Sequence, residues 1–240
     1  MESMEYRDWL NRHVKIGHEV LWVTRAEVEG LGITRQEVFS LVEKALAYHG
    51  RKEVEMPAKI GIHPHTQPNT LMHAMPGYIP AEFIACIKWA SCFPENPKRF
   101  GVPQTTGLMV FNDHESGLPV AVTDAAWITK MRTAAVSAIG AKYLANTDAA
   151  VAGMIGCGVQ GKEHVKVMEL ALPKLEKILI HDVNPAALDA TIEECQPLVK
   201  ARIVKASSFE EVVKGAEVVF SASTITASPT PAIRDEWVVP

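Results

Sequence analysis

The sequence contains few cysteines and no long apolar run. Its four cysteines are dispersed over 240 residues, and no two of them are spaced as C-x-x-C. This distribution excludes a disulfide framework and a zinc ribbon, and it is typical of a protein in a reducing compartment. No window approaches about 18 uninterrupted apolar residues, and the charged N-terminal segment lacks the apolar core of a signal peptide. We therefore expect a soluble, cytoplasmic protein without a membrane partner.

An excess of positive charge is also missing. Lys and Arg number 24 against 28 Asp and Glu, so the formal net charge is −4. Aromatic residues make up 7% of the chain and are scattered along it. A mildly acidic chain has no bulk attraction to phosphate backbones, and scattered rings form no stacking platform for bases. The composition therefore argues against a nucleic acid partner.

Residues that could ligate a metal occur without the required spacing. His63, His65 and His73 could share one face of neighbouring strands, but Pro64 breaks the alternation and no acidic or cysteine ligand is near. We therefore expect no metal site. A second polar cluster, at 113–115, falls in a predicted hairpin turn, where such trios are typically solvated.

The first part of the chain has the patterns of both helices and strands. Thr34 and Glu37 predict a capping box at the start of a helix that ends at Gly50. An Ala-rich helix is predicted over 124–145, with Asp124 as its N-cap. Between these helices the strand candidates are 58–62, 70–75, 83–93, 105–113 and 118–124, of which the last two read as a hairpin. We interpret 1–145 as an α+β domain with a largely antiparallel sheet.

From residue 146 onward the pattern alternates between short apolar strands and helices. The predicted strands are 151–155, 177–182, 201–206 and 216–223, and the predicted helices are 159–172, 185–195 and 208–215. Such alternation favours a parallel sheet covered on both faces. A complete dinucleotide fold carries about six strands. Since 146–240 supplies fewer, with the start of a fifth near 237–240, we expect the chain to be part of a longer protein.

The strongest motif is a G-x-G-x-x-G sequence between the first of these strands and its helix. Gly156 permits a tight turn, Gly158 admits a pyrophosphate close to the backbone, and Gly161 allows the helix to pack closely on the strand. Asp182 ends the next strand, where it would bind the adenosine ribose hydroxyls and repel a 2′-phosphate. The motif predicts a Rossmann-type domain over 146–240 that binds NAD rather than NADP. Cys157, within the turn, is either a thiol with a lowered pKa or a small residue that fills its position.

Several separated motifs resemble the ornithine cyclodeaminase/mu-crystallin family. They occur in the family's order and precede the glycine-rich turn at the expected distance. The matching pieces are Met75-Pro76, Lys88 with Pro94-x-Asn96, Gln104-Thr105, Gly117-x-Pro119 and Thr129-x-x-Arg132-Thr133-Ala134-Ala135. The resemblance implies an α/β protein in which a Rossmann-type parallel sheet domain binds the nicotinamide cofactor. The other domain is implied to bind the substrate and to form a homodimer through its sheet.

The resemblance also assigns roles to single residues. It implies that the cofactor is contacted by Thr105, Arg132, Thr133, Val159, Gln160, Asp182 and Ser223, together with the glycine turn. It places the substrate carboxylate among Lys59, Lys88 and Arg132, which are basic groups suited to a carboxylate. Lys88 lies in an apolar strand, so the alternative is a sheet lysine whose ammonium reaches solvent. Lys59 could equally be an exposed strand residue, since the family more often has Arg there.

Two departures from the family pattern bear on the reaction. His73 stands where cyclodeaminases carry a proton-moving glutamate, and the family's catalytic aspartate would follow residue 240. We expect an NAD(H)-dependent oxidoreductase that acts on the C–N bond of an amino acid or cyclic imine. Lys88, or the aspartate expected after residue 240, would exchange the proton on nitrogen, and His73 would line the substrate pocket. The alternatives are NAD-dependent ornithine cyclodeamination to proline and ammonia, and a non-catalytic mu-crystallin-like binding protein.

Overall fold

A computed structural model of the chain describes residues 3–224 and 231–238. It divides into two compact units. The first contains the chain up to Ile33 and Lys44–Thr129, and the second contains Thr34–Glu43 and the chain from Lys130 onward. The division differs from the expected boundary at 145/146. It falls inside an α-helix because Ala134, Ala138 and Ile139 of that helix are buried in the core of the second unit.

The first unit combines a mixed sheet with short helices. Its strands are β1 (Leu21–Val23), β2 (Ile60–Ile62), β3 (Leu71–Ile79), β4 (Ile84–Cys92), β5 (Thr105–Asn112) and β6 (Pro119–Asp124). Its helices are α1 (Ser3–Asn11), α2 (Arg25–Gly30) and α4 (Asn96–Phe100). The helices α3 (Arg35–Gly50) and α5 (Ala126–Leu144) each contribute residues to both units.

The sheet of the first unit has the strand order β1-β6-β5-β4-β3-β2. The five strands predicted between 58 and 124 are confirmed, as is the β5–β6 hairpin, and all their pairings are antiparallel. The sequence patterns did not predict β1, which adds to β6 in parallel. The predicted helix starts are also confirmed. Thr34 and Glu37 exchange capping hydrogen bonds, and the Asp124 carboxylate accepts the N–H of Ala126.

The β5–β6 turn corrects one expectation from the sequence. Asp113 is fully buried rather than solvated, and its carboxylate accepts hydrogen bonds from the backbone N–H and hydroxyl of Ser116. Arg7 of α1 lies 3.6 Å from the same carboxylate. Burial alone would raise the pKa of Asp113, but the Ser116 hydrogen bonds and the charge of Arg7 lower it below its ordinary value. Asp113 is therefore a structural acid that orders this turn.

The second unit contains a four-stranded parallel sheet. Its strands are β7 (Val151–Ile155), β8 (Lys177–His181), β9 (Arg202–Lys205) and β10 (Val218–Ser221), in the order β10-β7-β8-β9. The helices α6 (Val159–Ala171), α7 (Pro185–Cys195) and α8 (Phe209–Gly215) connect them. This α/β architecture confirms the expected Rossmann-type sheet, in which the chain runs outward from β7 to β9 and then crosses back to place β10 on the other side of β7. Met154, Ile155, Ile178 and Ile180 of the two central strands are fully buried.

The end of the described chain differs from its prediction. A short 3₁₀ helix occupies Asp235–Trp237, where the sequence predicts the start of a fifth strand, and the last residues of that candidate lie outside the described residues. Within 3–224 and 231–238, no helix combines the length and the apolar character that a bilayer crossing requires.

Candidate functional site

The glycine-rich segment forms a tight turn between β7 and α6. Gly156 follows β7 with a φ of +92°, in the region that favours glycine. A Cβ atom on Gly161 would lie 1.9 Å from the carbonyl oxygen of Gly156, so only glycine fits where the helix crosses the turn. The two glycines are thus required by backbone conformation and by close packing, the reasons for which the motif selects them.

Gly158 has a different role in the same turn. It is the N-cap residue of α6, and this helix start has no side-chain capping hydrogen bond. A Cβ atom on Gly158 would meet no atom within 4 Å, so the backbone here faces open space. A helix N-terminus whose backbone is accessible can accept a negatively charged group through its N–H groups and its dipole. The residues present therefore fit the pyrophosphate of a dinucleotide.

Asp182 and Ser223 lie beside this turn, as the sequence predicts. Asp182 accepts the backbone N–H of Cys157 at 2.7 Å through Oδ2, and that of Asn184 at 2.8 Å through Oδ1. Each carboxylate oxygen has a second lone pair, so Asp182 can order the turn and still accept a ribose hydroxyl. The backbone nitrogen of Ser223 lies 3.1 Å from where a Cβ atom on Gly156 would stand, which places the second residue after β10 against the turn.

The thiol in the turn is structural. Cys157 is 1% exposed, and burial is the main cause that raises its pKa to about 11. Desolvation therefore outweighs the lowering expected from a nearby helix N-terminus. Of the two interpretations that the sequence left open, a small residue filling its position is the one the structure favours.

Two buried polar residues of α6 were not found by sequence patterns. Glu163 is 1% exposed and accepts hydrogen bonds from Arg35, with Arg35 Nε at 2.5 Å from Oε1. His164 Nδ1 lies 2.7 Å from the Gln160 carbonyl oxygen, and Nε2 lies 2.9 Å from Ser137 Oγ. Burial lowers the pKa of His164, so the neutral ring donates to Gln160 and accepts from Ser137. Polar residues at these positions are ordinary in an amphipathic helix, so the sequence gives no sign of the two contacts. Only the tertiary structure identifies them.

Other candidate cofactor residues lie on α5 and α6. Arg132 and Thr133 are half-buried on α5, and burial lowers the pKa of the Arg132 guanidinium. The Thr133 carbonyl oxygen lies 3.4 Å from Ser137 Oγ. In the first turn of α6, Val159 is 68% exposed and Gln160 is half-buried. Val159 thus presents its side chain at the open end of the glycine turn.

In the first unit, the sheet register places three candidate residues on one face. His73 of β3 pairs with Ala90 of β4, so Lys88, two residues before Ala90, lies diagonally across from His73 on the same face. Thr105 of β5 pairs with Cys92, which shares this face because side chains alternate along β4. We call this the Lys88 face.

The ammonium of Lys88 is inside the protein. Lys88 is 9% exposed, and its Nζ donates a hydrogen bond to the hydroxyl of Thr129 at 3.2 Å. A lysine whose ammonium reaches solvent, the alternative left open by the sequence, does not match this burial. Burying an ammonium costs free energy unless it is hydrogen-bonded. Its retention in an apolar strand is typical of a functional residue.

Basic side chains surround His73 on the Lys88 face. Gly61 of β2 pairs directly with His73, and Lys59 and His63 stand two residues to either side of Gly61. The His63 and His73 rings meet edge to face with their centroids 6.0 Å apart. The pKa of His73 is lowered, first by burial and then by the charges of Lys59 and His63. Lys59 itself is exposed.

Comparison with known proteins supports the resemblance seen in the sequence. The family model described as "Ornithine cyclodeaminase/mu-crystallin family" matches residues 19–240. The chain belongs to this family. One relative is the nodulation efficiency protein NfeD of Rhizobium meliloti, 37% identical over 205 residues, which are 85% of this chain and 62% of the relative. Another is the alanine dehydrogenase of Archaeoglobus fulgidus, 31% identical over 220 residues, 92% of this chain and 64% of the relative.

Solved structures of family enzymes share the fold. The Δ1-pyrroline-2-carboxylate reductase of Thermococcus litoralis, in complex with NADH and L-proline, superposes with a TM-score of 0.83 at 29% identity. The match covers 91% of this chain and 66% of the reductase. An archaeal alanine dehydrogenase dimer with bound NAD has a TM-score of 0.80 at 30% identity. The match covers 91% of this chain and 64% of the dehydrogenase. This family member thus spans less than two thirds of its first curated relatives, 62% and 64% of their lengths.

Proposed function

We propose that this protein is an NAD(H)-dependent oxidoreductase acting on the C–N bond of an amino acid or cyclic imine. The observation that carries the proposal is the turn at Gly156–Gly161 with Asp182 bonded to its backbone. The turn lies in a chain whose family relatives include an alanine dehydrogenase and an imine reductase that binds NADH. Amino acid dehydrogenation and imine reduction are the two directions of one such reaction.

The second unit would hold the cofactor. The turn would bind the pyrophosphate, with Gly158 leaving room for it and with Val159 and Gln160 beside it. Asp182 would bind the adenosine ribose, and its negative charge favours NAD over NADP. Ser223, Thr105, Arg132 and Thr133 complete the proposed cofactor contacts. When bound, the nicotinamide would supply the hydride chemistry, while the protein supplies position and charge.

The first unit would hold the substrate. Lys88 and Lys59 would bind the substrate carboxylate, a role that the resemblance also implies for Arg132, and His73 would line the pocket. Lys88 is the proposed catalytic residue, since its ammonium is buried against a hydroxyl and can exchange a proton with the substrate nitrogen. An amine that loses hydride must also lose a proton from nitrogen, and Lys88 offers a group for that transfer.

We also propose a homodimer formed through the sheet of the first unit. The face opposite the Lys88 face carries apolar side chains that are exposed: Trp22, Ile60, Ile62, Trp89 and Leu108, with exposed fractions of 59%, 72%, 57%, 38% and 38%. Exposed apolar surface of this kind typically marks an interface. The related archaeal alanine dehydrogenase is a dimer. Light scattering should give twice the chain mass. Trp89→Glu should produce monomers, whereas the control Leu46→Glu, at an exposed position on α3, should leave the dimer intact.

A cytoplasmic location completes the proposal. It is supported by the four dispersed cysteines, all of which are free thiols.

The reaction is tested with the purified protein, NAD⁺ and a panel of amino acids. NADH absorbance and released ammonia are measured in the same samples. NADH formed in proportion to one amino acid supports the proposal and identifies the substrate. Ammonia released from ornithine without net NADH contradicts it and establishes cyclodeamination. Binding of NAD(H) without turnover of any compound contradicts it in favour of a mu-crystallin-like binding protein.

A further inference from the structure

The Lys88 face carries basic residues and no acidic ones. His73 has Gly61 directly opposite it on β2, with Lys59 and His63 at the two diagonal positions, and Lys88 lies at the diagonal position on β4. The alternate positions of β2 to β6 that share this face, all within the described chain, contain no aspartate or glutamate. On these described strands, a ligand on this face therefore meets basic groups and no negatively charged side chain.

The basic groups form two separate sets. The Lys88 ammonium is buried and lies toward the middle of the sheet, next to Thr129. Lys59 and His63 lie at its edge, directly before and after the last strand, β2, and the His63 ring meets that of His73. A substrate carboxylate bound at Lys88 would not use the N–H groups of the His63–His73 pair. These groups are therefore available to bind a second acceptor.

A cavity next to this pair provides room for a second group. It has a volume of about 600 Å³ and is lined by His63, His65 and the 66–70 segment. Its other lining side chains are threonine, glutamine, asparagine and proline, so no negative charge lines it. A cationic side-chain amine would find no counter-ion in this environment, whereas a carboxylate would find charge-assisted donors.

We propose that the substrate is an amino dicarboxylate or its imine, with one carboxylate at Lys88 and Lys59 and the side-chain carboxylate held by His63 and His73. This inference rests on the proposed function and names its substrate class. It disfavours ornithine and lysine, whose side chains carry the opposite charge. On the described strands β2 to β4 and the residues that flank β2, the charged or titratable groups that face His73 are Lys59, His63, Lys88 and the Cys92 thiol. Acidic ligands should consequently bind more tightly as the pH falls and the His73 imidazole becomes protonated, which occurs below its ordinary range because its pKa is lowered.

The test compares acids with their isosteric amides in direct binding. L-Aspartate is paired with L-asparagine and L-glutamate with L-glutamine, each titrated calorimetrically into the full chain with and without NADH. We expect each acid to bind at least about tenfold more tightly than its amide, the size expected for a hydrogen bond to a charged group. The acid-to-amide ratio should increase as the pH is lowered below the ordinary imidazole range, because the lowered pKa of His73 shifts its protonation to more acidic pH.

The variants His63→Gln and His73→Gln assign the effect to residues. Each keeps an N–H donor but lacks the imidazole, so the acid-to-amide ratio should fall toward one. In His73→Gln the pH dependence of the ratio should disappear as well. His49→Gln, at an exposed position of α3, is the matched control and should keep both. His63 is exposed, so its variant tests the assignment even if His73→Gln is poorly folded.

The outcomes separate this inference from the proposed function. Amides that bind as tightly as acids, or variants that keep the full ratio and its pH dependence, would overturn the inference, whatever turnover is measured. Acids that bind selectively without any NAD(H)-linked turnover support it and contradict the proposed function. Selective turnover of a neutral amino acid contradicts it and leaves the proposed function intact.

Discussion

Gly61 lies directly opposite His73 in the antiparallel pair β2–β3, and a Cβ atom built on Gly61 would stand 2.3 Å from His73 Cδ2. The Met72 carbonyl oxygen would be 2.6 Å away, so the backbone could not accommodate it without a shift. Gly61→Ala should displace the His73 ring and lower the free energy of unfolding by about 1–3 kcal/mol. Urea unfolding measures the stability, and the acid-to-amide selectivity of binding shows whether the His73 ring has been displaced.

Gly77→Ala is the matched control for this substitution. Gly77 lies on β3 on the same face, and a Cβ atom there meets no atom within 4 Å. It should leave the selectivity unchanged and alter the stability far less than Gly61→Ala. Equal effects of the two substitutions would mean that Gly61 supports the strand in general and not the His73 ring.

The glycine turn allows stability and cofactor binding to be separated. Gly161→Ala would place a Cβ atom 1.9 Å from the Gly156 carbonyl oxygen, so it should lower the melting temperature markedly and abolish NADH binding. In Gly158→Ala the added methyl points into open space, so the melting temperature should fall by only a few degrees, the loss expected because Ala is a poorer N-cap than Gly by about 1 kcal/mol. Its methyl group would nevertheless occupy the proposed pyrophosphate space, and NADH affinity should fall about tenfold or more. NADH fluorescence and differential scanning fluorimetry provide the two measurements, and native affinity in Gly158→Ala would contradict the proposed cofactor position.

Sequence patterns predicted the elements whose signals are local. The capping box at Thr34, the β5–β6 hairpin and the strand-turn-helix at Gly156 depend on residues near one another in the chain, and all three are present. The strand β1 was not predicted because its three residues are too few to show a periodic pattern. The ion pair of the buried Asp113 could not be predicted either, since its partner Arg7 is more than a hundred residues away in the chain.

The candidate site shows the same limit. The proximity of Asp182 to the turn follows from the motif, but the basic surroundings of His73 follow from strand register. A shift of one residue between β2 and β3 would turn Lys59 and His63 to the opposite face. Sequence patterns do not specify register to that accuracy, so the two edge residues could be grouped with His73 only in the folded sheet.

Asp182 should determine the choice between the two nicotinamide dinucleotides. Asp182→Asn removes the negative charge while keeping an oxygen that can accept the Cys157 N–H. NADH affinity should fall several-fold, because a neutral amide accepts the ribose hydroxyls more weakly, by about 1 kcal/mol. NADPH affinity should rise, because repulsion of the 2′-phosphate is removed. Titration of both cofactors measures this, with the exposed Asp148→Asn as a control. An unchanged NADPH-to-NADH ratio would remove Asp182 from the ribose site.

Lys88 should be needed for turnover and not for cofactor binding. Lys88→Met keeps an unbranched apolar side chain in the buried strand position and removes only the ammonium that contacts Thr129. Turnover should fall about 100-fold or more, the usual contribution of a proton-transferring group, while NADH affinity and the melting temperature stay close to their native values. The control is Lys98→Met, at an exposed position on α4, which should keep full turnover. Steady-state rates and NADH titration decide the matter, and a Lys88→Met protein with rates within a few-fold of the native ones would place proton transfer on another group.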